Sequence, residues 1–154
     1  LRRLNAYHIN IKKRLVKSPK VYVRDQGILH NILRIKNFNS LLGNPIFGAS
    51  WEGMVIENIC SKYSDCSFYF YRTATGDEID LIIENAGKII AVECKASTAP
   101  KLNKGFWNAM QTLNPHKAYI VAPIKDNYPI SDKVEACNLK EVIAKLSKDL
   151  ETQY

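Results

Sequence analysis

No run of apolar residues in this 154-residue chain approaches the roughly 18 that a membrane-crossing helix needs. Nor does an apolar stretch of signal-peptide type follow the basic N-terminus, so the expectation is a soluble, cytoplasmic protein with no membrane partner. Cysteine is scarce and poorly spaced for chemistry. Cys60, Cys66, Cys94 and Cys137 form no C-x-x-C pair, which argues against a structural zinc and against a disulfide framework. His8, His30 and His116 stand too far apart for a local metal motif and are assigned no role. The G-x-x-x-x-G-K-[ST] loop is missing, so nothing here binds ATP in the P-loop manner. Repeats and low-complexity tracts are also missing, and 46% hydrophobic content over this length fits one domain with its own core.

Acidic residues are nearly lacking from one end. Residues 1–36 hold ten Lys and Arg against the single acid Asp25, a local net of +9, whereas residues 37–154 hold twelve bases against fourteen acids. A basic segment of this kind can steer towards phosphate backbone or an acidic partner surface, although a solvated, charged helix is the commoner explanation. The chain starts without an initiator Met and reads as a piece of something larger. Residues 1–18 are expected to form an N-terminal helix or linker, and 19–150 the domain proper.

Within that domain, KVYV at 20–23 has the composition of a strand, and Asp25 is placed to cap a helix through GILHNILRI. Pro45 and Gly48 mark a turn, after which Ser50 is expected to cap a helix over WEGMVIENICSKY that carries Glu52. SFYFYRT at 67–73, EIDLIIE at 78–84 and KIIAVECKA at 88–96 read as three strands joined by tight turns, an antiparallel meander. A helix over 102–113 then leads to KAYIVAP at 117–123, an apolar run suited to a buried parallel strand. A short strand near KVEACN and an amphipathic helix over LKEVIAKLSK complete an α/β pattern, αβββαβ with additions at both ends.

Side chains alternate along a strand, so Glu93 and Lys95 share a face. The hairpin through Asn85 to Gly87 folds the preceding strand against theirs and brings Asp80 towards Glu93, with Asp80 expected on the face of Glu78, Ile82 and Glu84. Converging carboxylates favour a hard cation such as Mg²⁺ or Mn²⁺, which takes oxygen ligands and keeps waters for the substrate. A lysine beside them can orient the attacking water or stabilise charge on a phosphoryl oxygen. The competing explanation is an ordinary polar face on a half-exposed sheet, where E-x-K alternation is common. Arg72 could reach a phosphate or simply pair with Asp77 or Glu78. Lys101 and Lys104, which open the helix after the site, could meet phosphates or lie on a solvated face. Trp51, Trp107 and the neighbouring aromatics fit a core better than a base-stacking platform.

GDEIDLIIENAGKIIAVECKAS resembles the D-(x)n-(D/E)-x-K signature of the PD-(D/E)XK nuclease superfamily, with Ile79 where the Pro would stand. In order, KSPKVYVRDQGIL, GASWEGMVIENI, YFYRTATGDEIDLII and AVECKAS resemble the C-terminal domain of unknown function that follows the ATPase module in a family of prokaryotic AAA+ ATPases. Gln26 and Ile28 replace that family's usual Thr and Leu. The resemblance implies a restriction-endonuclease-like core, a central mixed sheet flanked by helices. It implies Asp80 and Glu93 as metal ligands, Lys95 as the catalytic lysine and Glu52 as the helical acidic member of the set. It further implies DNA as substrate, an upstream ATPase module on the same polypeptide, and residues 1–18 as the link to it. Gln111 has no Tyr within four positions after it, so an exonuclease subtype is not assigned.

Three functions follow as alternatives: a metal-dependent phosphodiesterase acting on nucleic acid, a non-cleaving DNA- or protein-binding regulatory module of the ATPase, and an interaction domain for homo-oligomer assembly.

Overall fold

The computed structural model describes residues 1–9 and 12–151. Its centre is the expected meander: β3 (Ser67–Arg72), β4 (Glu78–Asn85) and β5 (Lys88–Cys94), antiparallel in sequence. Ala86 and Gly87 turn the β4–β5 hairpin with φ of 50° and 78°, the two consecutive positive values that a tight two-residue hairpin requires. After β5 the chain crosses through α4 (Lys104–Leu113) into β6 (Lys117–Val121), which pairs parallel to β5 as its apolar composition predicts.

Further strands extend this sheet on both sides. β8 (Val134–Cys137) lies parallel to β6, and the two-residue β7 (Tyr128–Pro129) closes that edge. At the other edge β1 (Arg2–Ala6) runs parallel to β3 and carries β2 (Lys20–Tyr22) antiparallel on its outer side. The result is one mixed eight-stranded sheet in the order β2-β1-β3-β4-β5-β6-β8-β7.

The helix or linker expected over residues 1–18 is therefore corrected, since its first part is a strand. Leu4 and Ala6 are buried while Arg3 and Asn5 face out, a period of two that the unpaired edge of β3 selects over the helical spacing of Leu1 and Leu4. The segment is integral to the sheet.

Helices cover both faces. On one face α3 (Phe47–Lys62) and α5 (Leu139–Asp149) pack Val55, Ile56, Ile59, Val142 and Leu146 onto Phe70, Leu81, Ile83, Ile90 and Val92. On the other, α4 packs Phe106 and Ala109 onto Tyr71, Ile79, Ile82 and Ile120. β4 and β5 are thus buried on both faces, which explains the consecutive apolar residues Leu81, Ile82 and Ile83.

Two cap assignments separate here. Asp25 caps α1 (Gln26–Ile32) as expected, accepting from the Ile28 amide at 3.0 Å. Ser50 does not cap α3, which starts three residues earlier; it is buried inside the helix, 2.7 Å from His30 Nε2 and donating to Gln26 Oε1 at 3.1 Å. A second short helix, α2 (Phe38–Leu42), completes the segment between β2 and α3.

Candidate active site

β3 and β4 fall out of step at one point. Between the pairs Tyr69↔Ile82 and Tyr71↔Ile79, β3 offers Phe70 alone where β4 offers both Asp80 and Leu81. A bulge of this kind re-aims side chains, and here it breaks the alternation that was expected to keep Asp80 on the face of Ile82. Ile79 and Ile82 both join the α4 face, Leu81 and Ile83 take the other, and Asp80 reaches Cys94 of β5 and Lys20 of β2.

There β4 and β5 stop pairing through their backbones, the last rung being Leu81↔Val92. Carboxylates replace the missing rungs. The Cys94 amide donates to Asp80 Oδ2 at 2.9 Å, and the Asp80 amide donates to Glu93 Oε2 at 3.3 Å. Each acid thus satisfies an amide of the opposite strand, so both are locked by the hairpin itself. Lys95 Nζ lies 3.2 Å from Glu93 Oε1.

Glu52 comes from α3, whose start is pinned by Trp51 Nε1 donating to the Val121 carbonyl at 3.0 Å. Its Oε1 accepts from Tyr22 Oη at 2.5 Å and from Lys20 Nζ at 3.2 Å. Lys20 also reaches Glu78 Oε1 at 2.9 Å and Asp80 Oδ1 at 3.4 Å, with its ammonium 5.7 Å from the centre of the Phe70 ring. Lys20, Glu52, Glu78, Asp80, Glu93 and Lys95 line one polar cavity of about 300 Å³, together with Arg72, Gly76, Cys94 and Asn103. Gly105 lets α4 close against its rim, since a Cβ there would meet the Gly76 carbonyl oxygen at 2.5 Å.

Burial dominates the electrostatics. It raises the proton affinity of both Asp80 and Glu93, and repulsion adds to this: from Glu52 on Asp80, and from Asp80 on Glu93. Burial works the other way on Lys20, but the surrounding Asp80, Glu52 and Glu78 outweigh it and hold the ammonium charged.

All four residues singled out in the sequence, Glu52, Asp80, Glu93 and Lys95, meet in this cavity. Of the three weaker candidates, Arg72 lines it but is paired with Glu78 at 2.5 Å. Lys101 and Lys104 are exposed beside it, and the residue that reaches the cavity from that loop is Asn103. Sequence reasoning missed Lys20 and Tyr22. Their K-x-Y spacing within a strand put them on one face, but nothing in the sequence said which sheet edge β2 would join.

The donor set is all oxygen, which suits a hard divalent cation. Among the described residues, however, no three His, Cys, Asp or Glu side chains are drawn together as a ready metal cage. The Lys20 ammonium instead lies within 3.4 Å of both the Glu52 and the Asp80 carboxylates.

The chain spans 97% of its length in a match, at 34% identity over 149 residues, to uncharacterized proteins of Mycobacterium bovis and Mycobacterium tuberculosis. It covers only 34% of the length of those relatives. No solved structure matches it. A family described as a domain of unknown function, DUF8612, matches residues 1–39, so Lys20 and Tyr22 fall within that match. Residues 47–142, which hold all four acids and Lys95, match a second family, and the chain belongs to it: the domain of unknown function DUF4143.

Proposed function

We propose that this domain is a metal-dependent phosphodiesterase of the PD-(D/E)XK type, with a restriction-endonuclease-like core, that acts on DNA as an effector of a AAA+ ATPase module in the same polypeptide. The observation that carries the reading is the interlock of Asp80 and Glu93 where β4 and β5 part, with Lys95 3.2 Å from Glu93 in the same cavity. Two buried carboxylates held side by side are costly unless a cation joins them. Bound Mg²⁺ or Mn²⁺ would supply a Lewis acid for a phosphoryl oxygen and a more acidic water.

Asp80, Glu93 and Glu52 are the residues that would hold it. The chain's own contribution is positioning: Glu93 orients the Lys95 ammonium, which in turn orients the attacking water or meets charge developing on the phosphoryl oxygen. That the relatives are about three times as long as the matched region leaves room for an ATPase module.

Titration calorimetry with Mn²⁺ on wild type, Glu93→Ala and Lys95→Ala tests the reading. Wild type is expected to bind, Glu93→Ala to lose binding, and Lys95→Ala to keep most of it while losing about 10²–10³ in cleavage rate. Equal binding by wild type and Glu93→Ala would overturn it. A second reading, a regulatory module that binds without cleaving, draws on the engagement of Glu52 and Asp80 by Lys20 and Tyr22. That module would bind DNA in EDTA as well as in Mg²⁺.

A further inference from the structure

The carboxylates of the site already have a cation, and it belongs to the chain. Lys20 Nζ contacts Glu78 at 2.9 Å, Glu52 at 3.2 Å and Asp80 at 3.4 Å, and its side chain is only 16% exposed. Resting on the metal-site reading above, we propose that Lys20 is a positioning residue that doubles as a gate: it holds Glu52 and Asp80 in place while the site is empty, and a divalent cation enters only as Lys20 withdraws.

Charge, position and fold each support this. The cavity lining carries four acids, Glu52, Glu78, Asp80 and Glu93, against Lys20, Arg72 and Lys95. Its formal charge is then about −1 with Lys20 present and about −2 without it, and only the latter matches a divalent ion. An ammonium and a metal ion cannot both sit between Glu52 and Asp80, so their occupancies exclude each other.

Lys20 is also mounted where it can move. β2 is a three-residue edge strand paired to β1 alone; β1 is tied to β3 by the pairs Asn5↔Tyr69 and Ala6↔Phe70 and by the Tyr7 amide donating to the Phe70 carbonyl, and residues 14–16 bond back to Arg72 and Ala74, so the part left to move is β2 with the Lys20 side chain. Asp80 and Glu93, by contrast, are fixed by the central hairpin. The two parts of the site fall within different family matches, residues 1–39 and 47–142. Movement of β2, or of the Lys20 side chain alone, would therefore open the site while Asp80 and Glu93 stay held by the hairpin. In energetic terms, only the fraction of molecules with Lys20 withdrawn is competent, and the apparent affinity for metal is reduced by that fraction.

The test combines Mn²⁺ calorimetry on wild type, Lys20→Met, Lys20→Arg and Glu93→Ala with acetylation of lysines in wild type, read residue by residue by mass spectrometry. Lys20→Met keeps the apolar stem and removes the charge, and is expected to bind Mn²⁺ about tenfold tighter or more, because the competing population is gone. Lys20→Arg, which keeps the charge, is expected to show no such gain. In wild type, saturating Mn²⁺ is expected to speed acetylation of Lys20 several-fold while exposed Lys12 stays unchanged as the control.

An unchanged Lys20 acetylation rate at saturation overturns the gate however the variants behave, and this readout stands even if Lys20→Met fails to fold. A folded Lys20→Met that binds no tighter than wild type overturns it too. In either case binding that still depends on Glu93 leaves the metal site intact, so only the gate is lost. Absence of Mn²⁺ binding in every variant, Lys20→Met included, overturns the metal site and the gate with it.

Discussion

The meander β3–β5 and the N-terminal segment ahead of α3 are held by different forces. In the meander, Phe70, Leu81, Ile82, Ile83, Ile90 and Val92 are fully buried between two helical layers. In the N-terminal segment, Leu4 and Ala6 reach the core, but α1 and α2 bury no residue, and Ile32 and Phe38 are 69% and 65% exposed. Beyond the backbone bonds of β1 and of residues 14–16 to β3 and the turn after it, what fastens this segment is charge: Arg2 and Arg24 to Glu57, Lys13 to Asp77, and Lys20 to Glu52, Glu78 and Asp80. The basic excess of residues 1–36 is thus partly answered by acids of the chain's own body. An apolar centre fixes the β4–β5 hairpin, and a largely electrostatic fastening leaves the strand that carries Lys20 freer to yield.

The largest effect should come from the centre. Ile82→Ala is expected to lower the free energy of unfolding by about 2–5 kcal/mol, because it leaves a cavity in a core packed on both faces. Val21→Ala, on the outer strand and 56% exposed, should change it by about 0.5 kcal/mol or less. Urea denaturation measures both, and losses of similar size would break the comparison.

Salt sharpens it. Raising NaCl from about 0.05 M to about 1 M shortens the Debye length from above 10 Å to about 3 Å, so the pairs with exposed partners, Lys13–Asp77 and Arg24–Glu57, weaken most and the more covered Arg2 and Lys20 pairs less. Amide hydrogen exchange across β1 and β2 is expected to quicken by about tenfold, while β4 and β5 keep their protection. Equal behaviour in the two regions would show that the N-terminal segment is not fastened by charge.

How much of this was legible beforehand follows from the same division. The meander, its hairpin turn and the parallel crossover to β6 could be read because apolar runs and turn residues are local signals, and they placed Asp80, Glu93 and Lys95 at one end of a hairpin. Glu52 could be placed on a helix by the spacing of Trp51, Val55 and Ile59, but its membership of the set came from the family resemblance. The bulge that turns Asp80 could not be read, since it depends on how Phe70 pairs across the sheet. Strand β1 was hidden because Leu1 and Leu4 have helical spacing and only the edge of β3 makes RRLNA a strand. Lys20 was missed for that reason: its place in the site depends on a strand pairing of β2 with β1, which the sequence does not announce.

A smaller effect than that of the core concerns the joint at Glu57. Burial pushes its carboxyl up, but hydrogen bonds from Arg2, Ser61 and Arg24 outweigh that and bring it down to about 2, from an ordinary value of 4.5. A carboxylate with a lowered folded-state pKa contributes stability that is fully present above about 4.5 and is lost as pH falls through about 2. Its partners differ, since Arg2 is largely covered while the Arg24 side chain is 56% exposed and screened by water. The contribution is therefore about 1 kcal/mol rather than the sum of two buried pairs. Glu57→Gln should lower stability by that amount at pH 7 and by progressively less as the pH is taken down from about 4.5 towards 2, where the wild-type carboxyl is itself becoming neutral. Urea unfolding at pH 7 and at stepped acid pH compares the two proteins. A gap that stays constant over that range would mean that Glu57 holds the N-terminal segment by shape rather than by charge, and the electrostatic half of the comparison would lose its anchor on α3.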